Sequence, residues 1–204
     1  MATLYERYNA GEDSTGYCYG VRRYAQTFTV GTVGANVNHN ISYVKMLFYR
    51  QASQTSYFEI QGVDGSSKPD GVVHSQAIVV DAGAAAPAAW VKIDMPSYLL
   101  LANTQYALVH YNDGDGNVTG GIVWSRDNSG SYGGGSMVYS SDSGGSWTVY
   151  AARDMMFEIW GDIPVTGATG NLNLLLGCGG NNGARIPQIA PHTMGLPRPR
   201  TRIH

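Results

Sequence analysis

Apolar and polar residues alternate along most of the first 160 residues, and this period of two constrains the fold more than any other feature. In residues 42–49, Val44, Met46 and Phe48 fall on one face of an extended chain, with Lys45 on the other. Strict alternation is typical of a strand that has one face in a core and the other in solvent. The pattern therefore predicts antiparallel sheets.

Nine further segments have strand-like composition, and turn signals rich in Gly, Asp and Asn separate them. In residues 57–61, alternation predicts that Phe58 and Ile60 face the core and that Glu59 and Gln61 face solvent. About ten short strands without a capped amphipathic helix predict an all-β protein, an antiparallel β-sandwich of the jelly-roll type. The nine segments are Ala25–Val30, Tyr57–Gln61, Val73–Val80, Trp90–Met95, Gln105–Tyr111, Gly121–Ser125, Ser136–Ser140, Ser146–Tyr150 and Asp154–Trp160.

The composition changes abruptly near residue 162. All 22 aromatic residues lie at or before Trp160, whereas five of the eight prolines follow it. Residues 1–162 carry 9 basic and 15 acidic side chains, a net charge of −6, and residues 163–204 carry four arginines and no acid. A Pro- and Gly-rich segment without aromatic anchors cannot build its own core. The sequence therefore predicts a sandwich body over residues 1–162 and an extended basic C-terminal arm over residues 163–204.

The arm has the residue types needed to bind another protein. A short apolar run is followed by a Gly/Asn hinge, a Pro-flanked stretch and an arginine-rich end. We expect such an arm to dock in a groove of a partner, with its arginines against an acidic surface such as the body of a neighbouring copy. A tail without fixed structure is the alternative, and the lack of interleaved aromatic residues disfavours nucleic acid. The residues expected to contact a partner are Leu174, Leu175, Leu176, Ile186, Ile189, Arg198, Arg200 and Arg202.

No sequence motif for covalent or metal-dependent catalysis is found. Gly-x-Ser-x-Gly is absent, and the histidines never occur in pairs at metal-ligand spacing. Residues 113–117 begin like a calcium loop, but Val118 and Trp124 stand where Gly and Glu are required, so a tight turn is favoured and a weak calcium site stays open. Cys18 and Cys178 are predicted to be isolated thiols, with a disulfide as the alternative. We expect no enzymatic activity, metal or cofactor.

Residues 140–147 match the Asp-box pattern Ser-x-Asp-x-Gly-x-Ser/Thr-Trp. In this pattern the Asp accepts backbone N–H groups of a turn, the Gly takes a left-handed conformation and the Trp pins the hairpin to the core. The motif therefore predicts a structural hairpin, built on Ser140, Asp142, Gly144 and Trp147. One copy does not make a propeller, which needs several blades.

Three aromatic residues are candidates for binding a glycan. Trp90 falls on the polar face of its strand beside Lys92, Trp124 stands next to Arg126, and Tyr132 lies in a Gly-rich loop. Flat aromatic faces near polar groups suit stacking on sugar rings. The simpler interpretation, which we favour for each, is that the ring covers the sheet or contacts a neighbouring subunit.

Five segments, in order, resemble a β-sandwich module of the jelly-roll kind that is common in uncharacterised phage structural proteins and bacterial surface proteins. The resemblance covers about residues 4–161 and leaves the arm outside it. It implies a fold similar in shape to carbohydrate-binding modules, and it carries no catalytic residues. The segments are Tyr24–Thr29, Ile41–Arg50, Val63–Gly71, Leu101–Ala107 and Met156–Gly161.

Two functions from different classes fit these features. The first is a non-enzymatic structural protein of a virus particle, such as a decoration, fibre or minor capsid component, anchored to other virion proteins or to copies of itself through the arm. The second is a carbohydrate-binding module for cell-surface glycans. The N-terminus does not resemble a signal peptide and no apolar run is long enough for a membrane span, so we expect assembly in the host cytoplasm and residence in the virion.

Overall fold

The computed structural model describes residues 1–113 and 121–164, and over these ranges the regular elements are strands. They form two antiparallel sheets that pack against each other as a β-sandwich. Within these ranges no helix is long and apolar enough to cross a membrane. The strands are β1 (Thr3–Tyr8), β2 (Ser14–Cys18), β3 (Arg23–Thr29), β4 (His39–Arg50), β5 (Thr55–Val63), β6 (Pro69–Val80), β7 (Ala89–Asp94), β8 (Leu99–Leu100), β9 (Gln105–Asn112), β10 (Ile122–Asp127), β11 (Met137–Ser140), β12 (Thr148–Tyr150), β13 (Asp154–Met155) and β14 (Phe157–Asp162).

Eight of these strands have the connectivity of a jelly roll. In sheet A the neighbours run β1, β14, β4, β7, and in sheet B they run β3, β9, β5, β6. The pairs β1–β14, β3–β9, β4–β7 and β5–β6 are nested along the chain, with the β5–β6 hairpin innermost. Successive pairs alternate between the sheets, which is the jelly-roll pattern. The predicted fold class is therefore confirmed.

The remaining strands extend both sheets. In sheet A, β2 and β13 pair with β10, which itself pairs with the C-terminal end of β4, and β8 pairs with the start of β4. In sheet B, β11 pairs with β3, and β12 pairs with β11. Sheet A is thus the larger of the two.

The core lies between the two sheets, where the alternating residues place it. In β4, Val44, Met46 and Phe48 are fully buried, and the intervening Lys45 and Leu47 are half-buried on the outer face. Facing strands of sheet B and neighbouring strands of sheet A contribute large apolar side chains of their own. Those that are completely buried include Phe28, Phe58, Trp124 and Phe157. Burial of each such side chain stabilises the fold by roughly 2 kcal/mol.

The predicted strand over residues 154–160 is interrupted. The chain pairs with β10 through β13, leaves the ladder at Met156, and then pairs with β4 through β14. The Met156 carbonyl at this crossing accepts hydrogen bonds from Trp124 Nε1 at 2.8 Å and from Leu47 N at 3.4 Å. An indole inserted between the diverging strands therefore satisfies the backbone where the ladder breaks.

The predicted arm cannot be described beyond its first residues. Ile163 and Pro164 are the last described residues, so the apolar run at Leu174–Leu176, the stretch at Ile186–Ile189 and the arginines at 198–202 lie outside the described residues. The body–arm division at residue 162 and the docking role of the arm stay predictions. The same holds for most of the calcium-like loop, because residues 114–120 also lie outside the described residues.

Candidate functional site

The three aromatic residues proposed for glycan binding lie in different environments. Trp90 on β7 is 38% exposed. Trp124 is completely buried, because its position in β10 pairs with the inward-facing Phe48. Tyr132 is only 7% exposed, and its hydroxyl donates to Glu6 Oε2 at 2.9 Å. Neither Trp124 nor Tyr132 presents an open ring face, which agrees with the favoured interpretation that these rings are packed, and of the three rings only that of Trp90 is exposed to a partner.

Trp90 belongs to a continuous surface on the outer face of sheet A. Trp90 lies opposite Leu47 in the β7–β4 pair, Lys92 lies opposite Lys45, and Lys45 lies opposite Glu158 in β14. Residues directly opposite each other in an antiparallel pair share a face and contact each other. Three neighbouring strands therefore present one surface.

This surface is ordered by aromatic and cationic contacts. The Tyr43 and Trp160 rings stack, with centroids 5.4 Å apart and planes 17° apart. Lys92 Nζ lies 4.6 Å from the Tyr43 ring centroid, and Lys45 Nζ lies 5.0 Å from that of Trp160. Cation–π contacts of this kind hold long side chains in one geometry. We call Tyr43, Lys45, Trp90, Lys92 and Trp160 the aromatic–lysine surface.

Acidic groups at the edge of this surface balance its lysines. Glu158 Oε2 accepts a hydrogen bond from Trp160 Nε1 at 2.8 Å and lies 3.8 Å from Lys45 Nζ. Lys92 forms an ion pair with Asp94, and both side chains are largely exposed. The surface thus combines half-exposed rings with fixed charges of both signs, which is typical of a surface that binds another macromolecule.

The Asp-box residues form the hairpin between β11 and β12. Asp142 accepts hydrogen bonds from Ser140 Oγ at 2.7 Å, from Ser146 N at 2.8 Å and from Ser146 Oγ at 2.6 Å. The bonds from Ser146 and Ser140 lower the pKa of Asp142 to about 2. Gly144 adopts a φ of 88°, in the left-handed region. The Asp142 carboxylate therefore stabilises the turn through hydrogen bonds.

A groove of about 490 Å³ separates this hairpin from the β5–β6 turn. Trp147 forms one wall and packs against the small apolar cluster of Ala25, Ala107, Val109 and Val138 on the outer face of sheet B. The opposite wall consists of Asp64 and residues 68–71. The sequence interpretation treated Trp147 as a structural anchor only, and nothing in the sequence placed it beside the distant β5–β6 turn.

Among the described residues, four acidic side chains are buried, and each has hydrogen-bond donors around it. The Glu6 carboxylate accepts hydrogen bonds from the backbone N–H groups of residues 31–33, and the Asp127 carboxylate accepts one from the Tyr8 hydroxyl at 2.7 Å. The Asp154 carboxylate accepts a hydrogen bond from Gln26 Nε2 at 2.9 Å, and burial raises the pKa of this carboxyl group. These carboxylates join strands and loops that are distant in sequence, so their contacts are those of structural groups.

Glu59 is the fourth of these acids, and its placement differs from the predicted one. Its carboxylate accepts hydrogen bonds from Tyr111 Oη at 2.8 Å, from Gln76 Nε2 at 2.6 Å and from Gln61 Nε2. Both Glu59 and Gln61 are buried although they lie on the outer face of sheet B. The Tyr57 and Tyr111 rings stack 4.7 Å apart on the same face, and the Tyr111 hydroxyl contacts Glu59.

Burial keeps two residues with reactive side chains, Cys18 and His110, in their neutral forms. Burial raises the pKa of the Cys18 thiol to about 12, so it remains protonated, and Cys178 lies outside the described residues. Burial lowers the pKa of His110 to about 3, so its ring stays neutral between Phe58 and Trp124. Among the described residues, no group of three His, Cys, Asp or Glu side chains is placed to hold a metal ion.

No family model matches the chain, and no curated protein matches it either. The fold and the surface therefore define the protein only by class. It is a jelly-roll β-sandwich whose outer face carries an ordered aromatic–lysine surface.

Proposed function

We propose that this chain is a non-enzymatic structural protein of a virus particle, such as a decoration, fibre or minor capsid component, anchored through its C-terminal arm. The observation that carries the proposal is the aromatic–lysine surface, a broad ordered face of the body with its rings half exposed. Aromatic residues are enriched at protein–protein interfaces because they bury much area at little entropic cost.

The charge distribution of the sequence supports the same function. Residues 1–162 have a net charge of −6 and residues 163–204 a net charge of +4, with no acid in the arm. Opposite charges on two segments of each copy favour association between copies through the arm. The virion would then be its location, with other capsid proteins or further copies as partners.

The anchoring role is tested by reversing the charge of the arm in the full chain. Particles assembled with Arg198→Glu, Arg200→Glu and Arg202→Glu should contain at least tenfold less of the protein, measured by quantitative mass spectrometry of purified particles. The matched control changes Arg7, Arg22 and Lys68 to Glu, which alters the net charge equally but leaves the arm intact. Equal incorporation of both variants would contradict anchoring by the arm, and absence of the unmodified chain from purified particles would contradict the function.

A carbohydrate-binding module is the second candidate. It is favoured by the exposed Trp90 ring and by the groove beside Trp147, where Lys68, Asp70 and Ser146 supply polar groups for sugar hydroxyls. On a glycan array, this function predicts binding that Trp90→Ala or Trp147→Ala weakens at least tenfold. Tyr17→Ala, which removes another exposed ring, is the control. An array without binding would remove this candidate.

A further inference from the structure

β6 is an edge strand of sheet B and is the most apolar edge of the described body. It pairs with β5 on one side, and no other described strand pairs with it. An edge strand presents N–H and C=O groups that can pair with another strand. Four of its 12 residues are apolar and well exposed: Val72 at 54%, Val73 at 45%, Ile78 at 58% and Val80 at 70%.

Other edges of the sandwich carry features that discourage pairing. β7 places Lys92 and Asp94 on its exposed positions. β1 contains the exposed Arg7 and a register shift between Leu4 and Glu6. β12 has three residues and β2 has five. Charges, irregular register and short length are the usual means by which native proteins protect edges.

The first half of β6 is protected in the same way. It begins with Pro69 and the charged Asp70, and Gly71 has a φ of 79°. The register with β5 shifts twice between Ile60 and Val63, opposite this half. A bulged and charged segment of this kind is a poor template for another strand.

The second half of β6 lacks such protection. From Ser75 to Val80 its register with β5 is uninterrupted, and its six residues, Ser-Gln-Ala-Ile-Val-Val, carry no charge. Ile78 and Val80 stand exposed on one face, while Ala77 and Val79 pack towards the core. A neutral, regular, β-branched edge is the feature that native proteins otherwise avoid.

We propose that this segment, residues 75–80 of β6, pairs antiparallel with the same segment of a second copy, about a two-fold axis at Ile78. Sheet B then continues from one copy into the other. The axis places Ile78 against its counterpart and Val80 against Gln76 of the other copy, so the exposed apolar side chains become one buried strip. The contact is isologous, so it closes as a dimer.

A second copy fits this edge better than a charged partner does. The segment offers no charge to an acidic or basic peptide, so such a partner gains only backbone bonds. The same neutrality means that two copies bring no like charges together. The partner strand is also already extended in the second copy, so little conformational entropy is lost on pairing.

The test measures the mass of the full chain by analytical ultracentrifugation over a wide concentration range. We expect a monomer–dimer equilibrium that Ile78→Lys with Val80→Lys weakens at least tenfold, because lysines of the two copies then meet across the axis. Val72→Lys with Val73→Lys adds the same charge to the protected half of β6 and should leave the equilibrium within about twofold. Unchanged melting curves identify variants that have kept their fold.

A cross-link locates the axis independently. In a Cys178→Ser background, with Cys18 buried, Ile78→Cys should form a covalent dimer under mild oxidation, whereas Val72→Cys should not. A monomer at every concentration would overturn the proposal, as would a dimer that survives the two lysines at 78 and 80. Dissociation by Leu174→Asp, Leu175→Asp and Leu176→Asp, with no effect of the β6 variants, would assign the contact to the arm instead.

Discussion

β6 and β7 are consecutive strands, and each is the edge of a different sheet, but their exposed side chains differ in charge and polarity. β7 exposes Lys92, Asp94 and the Trp90 ring, and its charges are paired with each other or placed against aromatic faces. β6 exposes aliphatic side chains and leaves its regular half uncharged. An edge with charges is soluble by itself, whereas a neutral edge needs a partner. The difference separates an edge that charges protect from an edge that is open to pairing.

The inward faces of the two strands differ as well. β7 and the residue after it contribute Ile93 and Met95, both almost completely buried. β6 contributes Ser75, Ala77 and the half-buried Val79, which are smaller. β7 is therefore held by core packing, and β6 is held more by its ladder with β5 and by the polar contacts of Glu59.

The largest expected loss of stability comes from shortening the inward-facing side chains of these two strands. Ile93→Ala should reduce the free energy of unfolding by about 2–5 kcal/mol, because it leaves a cavity in the core. Val79→Ala removes fewer buried atoms and should cost about 1 kcal/mol. Urea denaturation of both variants measures the two values. Equal losses would show that β6 is anchored in the core as firmly as β7.

His110 lies on β9, a central strand of sheet B, and in this it differs from the residues of the edge strand β6. The pKa of His110 is about 3 in the folded protein and about 6.5 when unfolded, so below pH 6.5 the unfolded chain binds a proton that the folded chain does not. This contribution to stability is complete above pH 6.5 and is lost as the pH falls towards 3. Between pH 6.5 and about pH 5 the loss should be roughly 2 kcal/mol. Denaturation across this range should show a steeper decline for the wild type than for His110→Phe, and parallel curves would contradict a neutral buried ring.

Glu59 tests the polar attachment of β6. Glu59→Gln places an amide where Gln76 and Gln61 donate, and it should reduce the free energy of unfolding by about 1–2 kcal/mol. The matched change is Glu158→Gln at the aromatic–lysine surface, to which β7 also contributes. It should reduce the free energy of unfolding by less than about 1 kcal/mol, because Lys45, the ion-pair partner of Glu158, is partly exposed. Chemical denaturation checks both values, and the reverse order would contradict the structural role of Glu59.

The smallest effect is expected at the charged edge itself. Lys92→Ala removes an exposed ion pair with Asp94 and a cation–π contact with Tyr43, and it should change stability by about 0.5 kcal/mol or less. Its oligomeric state should not change, in contrast to that of the β6 variants with lysines at 78 and 80. Association that appears in Lys92→Ala would show that the charge on β7 protects this edge from pairing.

The alternation of apolar residues predicted the sandwich, and it did so best where a strand is regular. In β4 the predicted inward positions, Val44, Met46 and Phe48, are the buried ones. The pattern failed where tertiary packing covers an outer face. Glu59 and Gln61 alternate as solvent-facing residues, but Tyr111 and the neighbouring strand bury them in a hydrogen-bonded cluster. The polar neighbours of Trp124 suggested an exposed ring, although its register with β4 directs it into the core.

By itself, the sequence determined the class of fold, the boundary in composition at residue 162 and the Asp-box turn, because each depends on residues that are close in the chain. The tertiary structure alone decided which strands became edges and which aromatic rings met on one surface. Tyr43, Lys92 and Trp160 come from three strands that only the nested pairing of the jelly roll brings together. The exposure of β6 has the same origin, since a strand becomes an edge through the partners it lacks, and no local pattern specifies those.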